Sequence, residues 1–288
     1  MSGETVHISI VGLPASGKTT FLAALWHMVR EAGAVTALSF EQLSDGNYEH
    51  LNALAKLWRQ GKIQQRTQLA GMRTVSMRLK TGAGQSVQVT FPDVPGEDFS
   101  RMWEKRDLDK AMVDTLSAPS ILLLVNGDTI QFPAWVVERM ALAKAIGLPR
   151  PAVAEDTEWS ADLAPTQVKV VDLLQMLMAD DLDLGERRLA LVLSAWDRVA
   201  GEGLTPEELL SMKMPLLDQY LRSGRDPWNW SVWGVSAQGG VYEDPEKDEK
   251  FAETDVLRDL DRASDRIKVV GDDGASTDIT RPLDWLIG

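Results

Sequence analysis

The chain has 288 residues, room for two average domains or one large α/β domain with insertions, and its 44% apolar and 25% charged residues are the ordinary globular mix. Thirty Lys and Arg against 43 Asp and Glu give a net charge of −13, which argues against a general nucleic-acid binder and against docking on anionic lipid by bulk charge. There is no cysteine, which excludes disulfides and thiol chemistry, and three histidines (His7, His27, His50) are too scattered for a metal cage.

Residues 6–11, Val-His-Ile-Ser-Ile-Val, form a short β-branched run before glycine and read as a buried strand. Residues 19–31 are rich in helix formers, with Gly33 as the stop. His27 within them reads as a packed histidine rather than a general base. A second helical pattern spans 47–60, with Leu51, Leu54, Leu57 and Trp58 on one face and Gly61 behind it. Two strands follow near 73–79 and 87–94, joined by a Thr-Gly-Ala-Gly-Gln turn suited to a hairpin.

Residues 121–125 and 189–193 are unbroken aliphatic runs, the pattern of parallel strands covered on both faces. Residues 230–236 are the last strand candidate, and helices are expected near 135–146, 167–178 and 206–221. Strands alternating with helices predict a doubly wound sheet. The proline- and acid-rich stretch 148–165 reads as a loop. From Val241 onward fourteen Asp and Glu accompany seven Lys and Arg, and the segment reads as an acidic helix (Phe251, Val256, Leu257, Leu260) with a docked apolar end. No apolar run approaches the roughly twenty residues of a spanning helix, and the N-terminus lacks the basic start of a signal sequence. A cytoplasmic protein without direct membrane insertion is expected.

The strongest motif is Gly12-Leu13-Pro14-Ala15-Ser16-Gly17-Lys18-Thr19, which fits G-x-x-x-x-G-K-[ST] at every fixed position, after a strand and opening a helix. Its glycines let successive amides, through Thr20, turn inward on a phosphate at the positive end of a helix. Lys18 is placed to bridge the β- and γ-phosphates, and the Thr19 hydroxyl to ligate Mg²⁺. Later, a strand runs into Pro92-Asp93-Val94-Pro95-Gly96-Glu97, a D-x-x-G arrangement. Asp93 can hold magnesium through water, and the Gly96 N–H can sense the γ-phosphate. Another strand ends Ser194-Ala195-Trp196-Asp197. A carboxylate there can accept hydrogen bonds from N1 and the exocyclic amine of guanine, a donor pair adenine lacks. The last strand ends at Ser236 and Ala237, where a backbone N–H can bond the guanine carbonyl.

With these residues the chain resembles the small regulatory (TRAFAC-class) P-loop GTPases, and within them the bacterial double-GTPase type. The resemblance covers most of residues 5–240. It implies a Ras-like P-loop NTPase fold: three α/β/α layers with a mostly parallel central sheet, helical insertions near 34–62 and 128–187, and a C-terminal extension over 241–288. It implies GTP or GDP as ligand with Mg²⁺, and a switch read by protein partners, including a GTPase-activating protein, in a bacterial signalling or conflict system. By motif, residues 12–19 take the phosphate-loop role, Asp93 and Gly96 the switch role, Asp197 the guanine role, and Ser236 with Ala237 the base-loop role.

Two departures stand out. The family's Asn-Lys-x-Asp is here Ser194-Ala195-Trp196-Asp197, so the lysine that packs along the base is missing and Trp196 is left to cover a face of it. Where Ras-like enzymes carry a water-orienting Gln, this chain has Glu97, read either as the water-orienting group or as a solvated switch residue. Thr67 is the candidate for closing over magnesium, with Thr74 as its rival, and Arg66 is either an internal arginine finger or a surface arginine. Three functions follow: a GTPase switch, a nucleotide-dependent interaction module that scarcely hydrolyses, or a small-molecule P-loop kinase, against which D-x-x-G and Asp197 argue.

Overall fold

In the computed structural model, the described residues are 5–63, 74–92, 103–105, 110–133, 144–145, 163–179, 182, 184–244, 246–247 and 250–288. In chain order their main elements are β1 (Val6–Gly12), α1 (Lys18–Met28), β2 (Leu38–Asp45), α2 (Tyr48–Arg59), β3 (Val75–Thr81), β4 (Ser86–Phe91), α3 (Lys110–Leu116), β5 (Ser120–Asn126), α4 (Thr166–Met176) and β6 (Arg187–Ser194). Then come α5 (Trp196–Val199), α6 (Pro206–Lys213), α7 (Pro215–Arg222), β7 (Trp228–Ser236), α8 (Ala252–Arg258), β8 (Lys268–Gly271), β9 (Gly274–Ser276) and α9 (Arg281–Trp285).

The aliphatic runs form the centre of one sheet, ordered β2-β3-β4-β1-β5-β6-β7-β8-β9. Strands β4, β1, β5, β6 and β7 run parallel, with Ile8 beside both Val89 and Ser120, and Leu191 beside both Leu123 and Val232. Antiparallel strands extend the sheet on either side, β3 with β2 at one end and β8 with β9 at the other. Alternate residues of the parallel strands feed two cores. Ile8, Ile10, Leu122, Leu124 and Val192 pack with α1, α2 and α9, while Ile121, Leu123, Leu189 and Leu191 pack with α4, α6 and α7. The arrangement is the expected three-layer α/β/α fold, and both faces of the middle strands are dry because helices cover each.

Helix α1 lies inside the first core and buries Phe21 through Trp26 continuously, so its sequence is apolar all round rather than striped. Helix α2 is amphipathic. The Asn47 side chain caps it by accepting from the Glu49 and His50 amides at 2.7 and 3.1 Å, Leu51, Leu54, Ala55 and Trp58 face inward, and Gly61 at φ +64° ends it.

Three readings of the sequence change. The insertion expected to be helical over 34–62 opens with a strand, β2. The helix expected over 206–221 is two, because Pro215 has no amide to give and starts α7 after Met214 leaves helical geometry at φ −135°. Beyond Val241, besides helix and docked end, two short strands join the sheet. Of the helix expected near 135–146 only residues 144–145 are described. Among the described residues no helix is long and apolar enough to cross a membrane.

Candidate functional site

Strand β1 ends at Gly12, where the neighbours leave no room for a side chain. A Cβ on Gly12 would stand 2.5 Å from Ser16 Oγ and 2.7 Å from the Leu124 carbonyl on β5. The loop then turns twice through left-handed backbone, at Ala15 (φ +59°) and Gly17 (φ +85°), before α1 starts at Lys18. Glycine meets the second requirement without strain, and alternation of hand turns neighbouring amides to one side. The Ser16 amide closes the loop on the Leu13 carbonyl at 3.1 Å, and the first helical bond runs from Phe21 N to Gly17 O at 2.9 Å. The amides of Lys18, Thr19 and Thr20 therefore begin a helix with no preceding turn to satisfy them. Pro14 and Ala15 are exposed at the tip, whereas Lys18, Thr19 and Thr20 are half-buried. Lys18 Nζ folds back onto the loop's own carbonyls, Gly12 O at 2.6 Å and Leu13 O at 3.2 Å.

Two residues from the adjoining strand ends hold the loop. Ser194 Oγ, at the end of β6, donates to the Ser16 carbonyl at 2.8 Å, and Asn126 Nδ2, at the end of β5, donates to the Ala15 carbonyl at 3.2 Å. Sequence reasoning assigned neither contact. The signal was present as the polar Asn-Gly-Asp immediately after an aliphatic run. Ser16 Oγ is itself buried and makes no hydrogen bond among the described residues, an orphaned polar group of the sort that collects at functional sites.

The β6 and β7 ends bring together the residues expected to read a base. Asp197 is half-buried, and its Oδ1 accepts from Ser236 Oγ at 2.5 Å; the same oxygen of Ser236 accepts from the Gly239 amide at 2.9 Å. Ala195 takes left-handed backbone (φ +53°) to start the short helix bearing Asp197. Trp196 is not a cover for the base. It is 2% exposed and lies against Gly234 of β7, where a Cβ would come within 2.3 Å of its ring. Behind the loop at Ser236 and Ala237 stand residues the motifs did not mark. Trp58 Nε1 donates to the Ala237 carbonyl at 2.8 Å, and the Arg266 guanidinium lies 4.5 Å from the Trp58 ring centre. Arg266 also donates to the Trp58 carbonyl (3.1 Å) and to Tyr242 Oη (3.2 Å). Burial pushes the Tyr242 phenol well up, against the pull of Arg266, so it stays a neutral hydrogen-bonding partner.

Arg66, Thr67, Asp93, Gly96 and Glu97 lie outside the described residues. Strand β4 runs parallel beside β1 and delivers the chain to Pro92 at the same edge of the sheet as Gly12. Among the described residues no group of three or more His, Asp and Glu is placed to hold a metal. Thr19, in the first turn of α1, offers a single hydroxyl beside the phosphate loop. That donor set fits magnesium, which takes few protein oxygens and keeps phosphate and water ligands.

The family model described as Double-GTPase 1 matches residues 9–286. No curated protein matches the chain significantly. Among solved structures, the chain is similar to a variant of SsGBP, with 10% identity, 81% of this chain and 50% of that chain covered and a TM-score of 0.36. It thus spans about half the length of the first such structures. It is also similar to the signal recognition particle receptor SRb-GTP/SRX complex from Chaetomium thermophilum (10% identity, 84% and 94% covered, TM-score 0.38). A third likeness is to the S. cerevisiae Ski7 GTPase-like domain bound to GTP (12% identity, 88% and 49% covered, TM-score 0.42).

Proposed function

We propose that this chain, which belongs to the Double-GTPase 1 family, hydrolyses bound GTP with magnesium and acts as a regulatory molecular switch. The observation that carries the reading is the phosphate loop. Its glycines and left-handed turns fall where the motif requires them, and Ser194 and Asn126 hold it from the neighbouring strand ends. The Asp197–Ser236 pair at the next two strand ends supports guanine as the base.

In this reading Lys18 leaves the Gly12 and Leu13 carbonyls for oxygens of the β- and γ-phosphates, and the first-turn amides of α1 hold the chain of phosphates. Thr19, and Asp93 through water, would hold magnesium, which would supply positive charge to offset that of the phosphates. Asp197 accepts from guanine N1 and the exocyclic amine, and the Ala237 amide donates to the guanine carbonyl. Water, oriented by Glu97, attacks the γ-phosphorus, the bond to the β–γ bridging oxygen breaks, and GDP and phosphate result. Arg66 offsets charge at the bridging oxygen, while Gly96 and Thr67 carry the presence of the γ-phosphate into the switch segments. Protein partners read those segments, a GTPase-activating protein among them, in a bacterial signalling or conflict system.

Single-turnover hydrolysis of GTP and of ATP, each with magnesium, tests the reading. Slow GTP turnover, lost in Lys18→Ala and no longer preferred over ATP in Asp197→Asn, is expected. GTP retained intact for hours would remove hydrolysis from the proposal, and an unchanged preference in Asp197→Asn would remove Asp197 as the base reader.

A further inference from the structure

A cavity of about 710 Å³ opens beside the end of α2 and is lined by Lys56, Arg59, Gln60, Lys62, Glu243 and Arg258. None of the phosphate-loop residues borders it. Among the described residues, four cations and one carboxylate line it, in a chain whose net charge is −13. The carboxylate is already engaged, since both terminal nitrogens of Arg258 contact Glu243, and one of them also reaches Asp255 at 3.0 Å. Among the described residues Lys56, Arg59 and Lys62 make no ion pair. The walls are fixed by backbone rather than by those side chains. Glu243 N donates to Gly61 O and Ile63 N to Glu243 O, each at 2.8 Å, and Arg258 Nε ties the Gln60 carbonyl at 2.7 Å.

Three cations on one open depression, none ion-paired among the described residues, raise the local positive potential and favour an anion there. With Arg258 engaged by Glu243, the planar Arg59 fork is left to suit phosphate oxygens, flanked by the Lys56 and Lys62 ammoniums, and a cavity of this size accepts a nucleotide-sized molecule. We propose that the cavity binds a small ligand carrying two linked phosphates, at a site separate from the phosphate loop. A compact diphosphate can meet the three unpaired cations at once, whereas an extended acidic peptide would spread its carboxylates beyond them.

The test is calorimetric titration of inorganic pyrophosphate, without magnesium, into the full chain carrying Lys18→Ala, so that the phosphate loop lacks its cation. One site per chain is expected, weakening steeply with added salt. Adding Arg59→Gln and Lys62→Gln is expected to weaken it by about tenfold or more with thermal unfolding unchanged, and Lys56→Gln alone by about threefold. Absence of heat from the Lys18→Ala chain overturns the proposal, as does heat that survives the Arg59 and Lys62 changes. Tighter binding of a ten-residue oligoglutamate than of pyrophosphate also overturns it, and assigns the cavity to an acidic protein segment. None of these outcomes depends on whether the phosphate loop hydrolyses GTP.

Discussion

Ser194 spends its hydroxyl on the phosphate loop, and the consequence of removing it can be worked out. Oγ donates to the buried Ser16 carbonyl at 2.8 Å, and Ser194→Ala leaves that carbonyl without its partner. An orphaned buried carbonyl costs about 1–3 kcal/mol. Asn126 cannot substitute, because its 3.2 Å bond to Ala15 O is longer and exposed and serves a different residue. The bond ties the end of β6 to the phosphate loop, so the loss divides between the fold and the loop's readiness to bind. The folding share lowers Tm by roughly 2–4 °C per kcal/mol. The binding share raises the GDP dissociation constant by about tenfold per 1.4 kcal/mol. Thermal unfolding and titration of a fluorescent GDP analogue measure the two shares, and Ser194→Thr, which keeps a hydroxyl, is expected to recover part of each. If Ser194→Ala leaves Tm within about 1 °C and the dissociation constant within about twofold, the strand end does not support the loop and the reasoning fails.

Three other substitutions probe the surroundings of the base loop. Gly234→Ala sets a Cβ 2.3–2.6 Å from three atoms of the rigid Trp196 ring, so a Tm loss equivalent to about 1–3 kcal/mol or more is expected, with weaker guanine selectivity as Asp197 moves; an unchanged Tm would contradict the packing. Trp58→Phe keeps a ring beside Arg266 but deletes the donor to Ala237 O, and stopped-flow release of GDP is expected to quicken several-fold, about 1 kcal/mol of lost support. Burial, followed by the charges of Arg59 and Arg266, holds the His27 imidazole below its ordinary range against the opposing pull of Glu31. The unfolded chain then binds more protons than the folded one as pH falls below about 6.5, so stability is full above that value and is lost below it. Urea unfolding at about pH 7.5 and 5.5 should show a smaller acid loss in His27→Gln than in the wild type, and equal losses would remove His27 as a cause.

The parallel centre of the sheet was legible because residues 121–125 and 189–193 are short, uninterrupted aliphatic runs, the pattern of strands covered on both faces. Strand β2 was hidden by its own irregularity. Register shifts between Phe40 and Gln42 and between Leu43 and Asp45 break the alternation by which an edge strand is recognised. Strands β8 and β9 span four and three residues around two aspartates, too short for a periodic signal. The phosphate loop was legible because backbone geometry alone dictates its glycines. The Trp196 contact was not, since adjacency to Asp197 says nothing of the direction of the ring, which is decided by the space over Gly234 on another strand. Nor could Arg266 be foreseen behind Trp58, from which 208 residues separate it.

The central claim is that the loop from Gly12 to Thr19 grips a guanosine triphosphate. Competition calorimetry of the wild-type chain with GTP and ATP in magnesium tests it most directly. One site is predicted, with GTP favoured over ATP by about tenfold or more. No heat with either nucleotide, or equal affinity for both, would contradict the account.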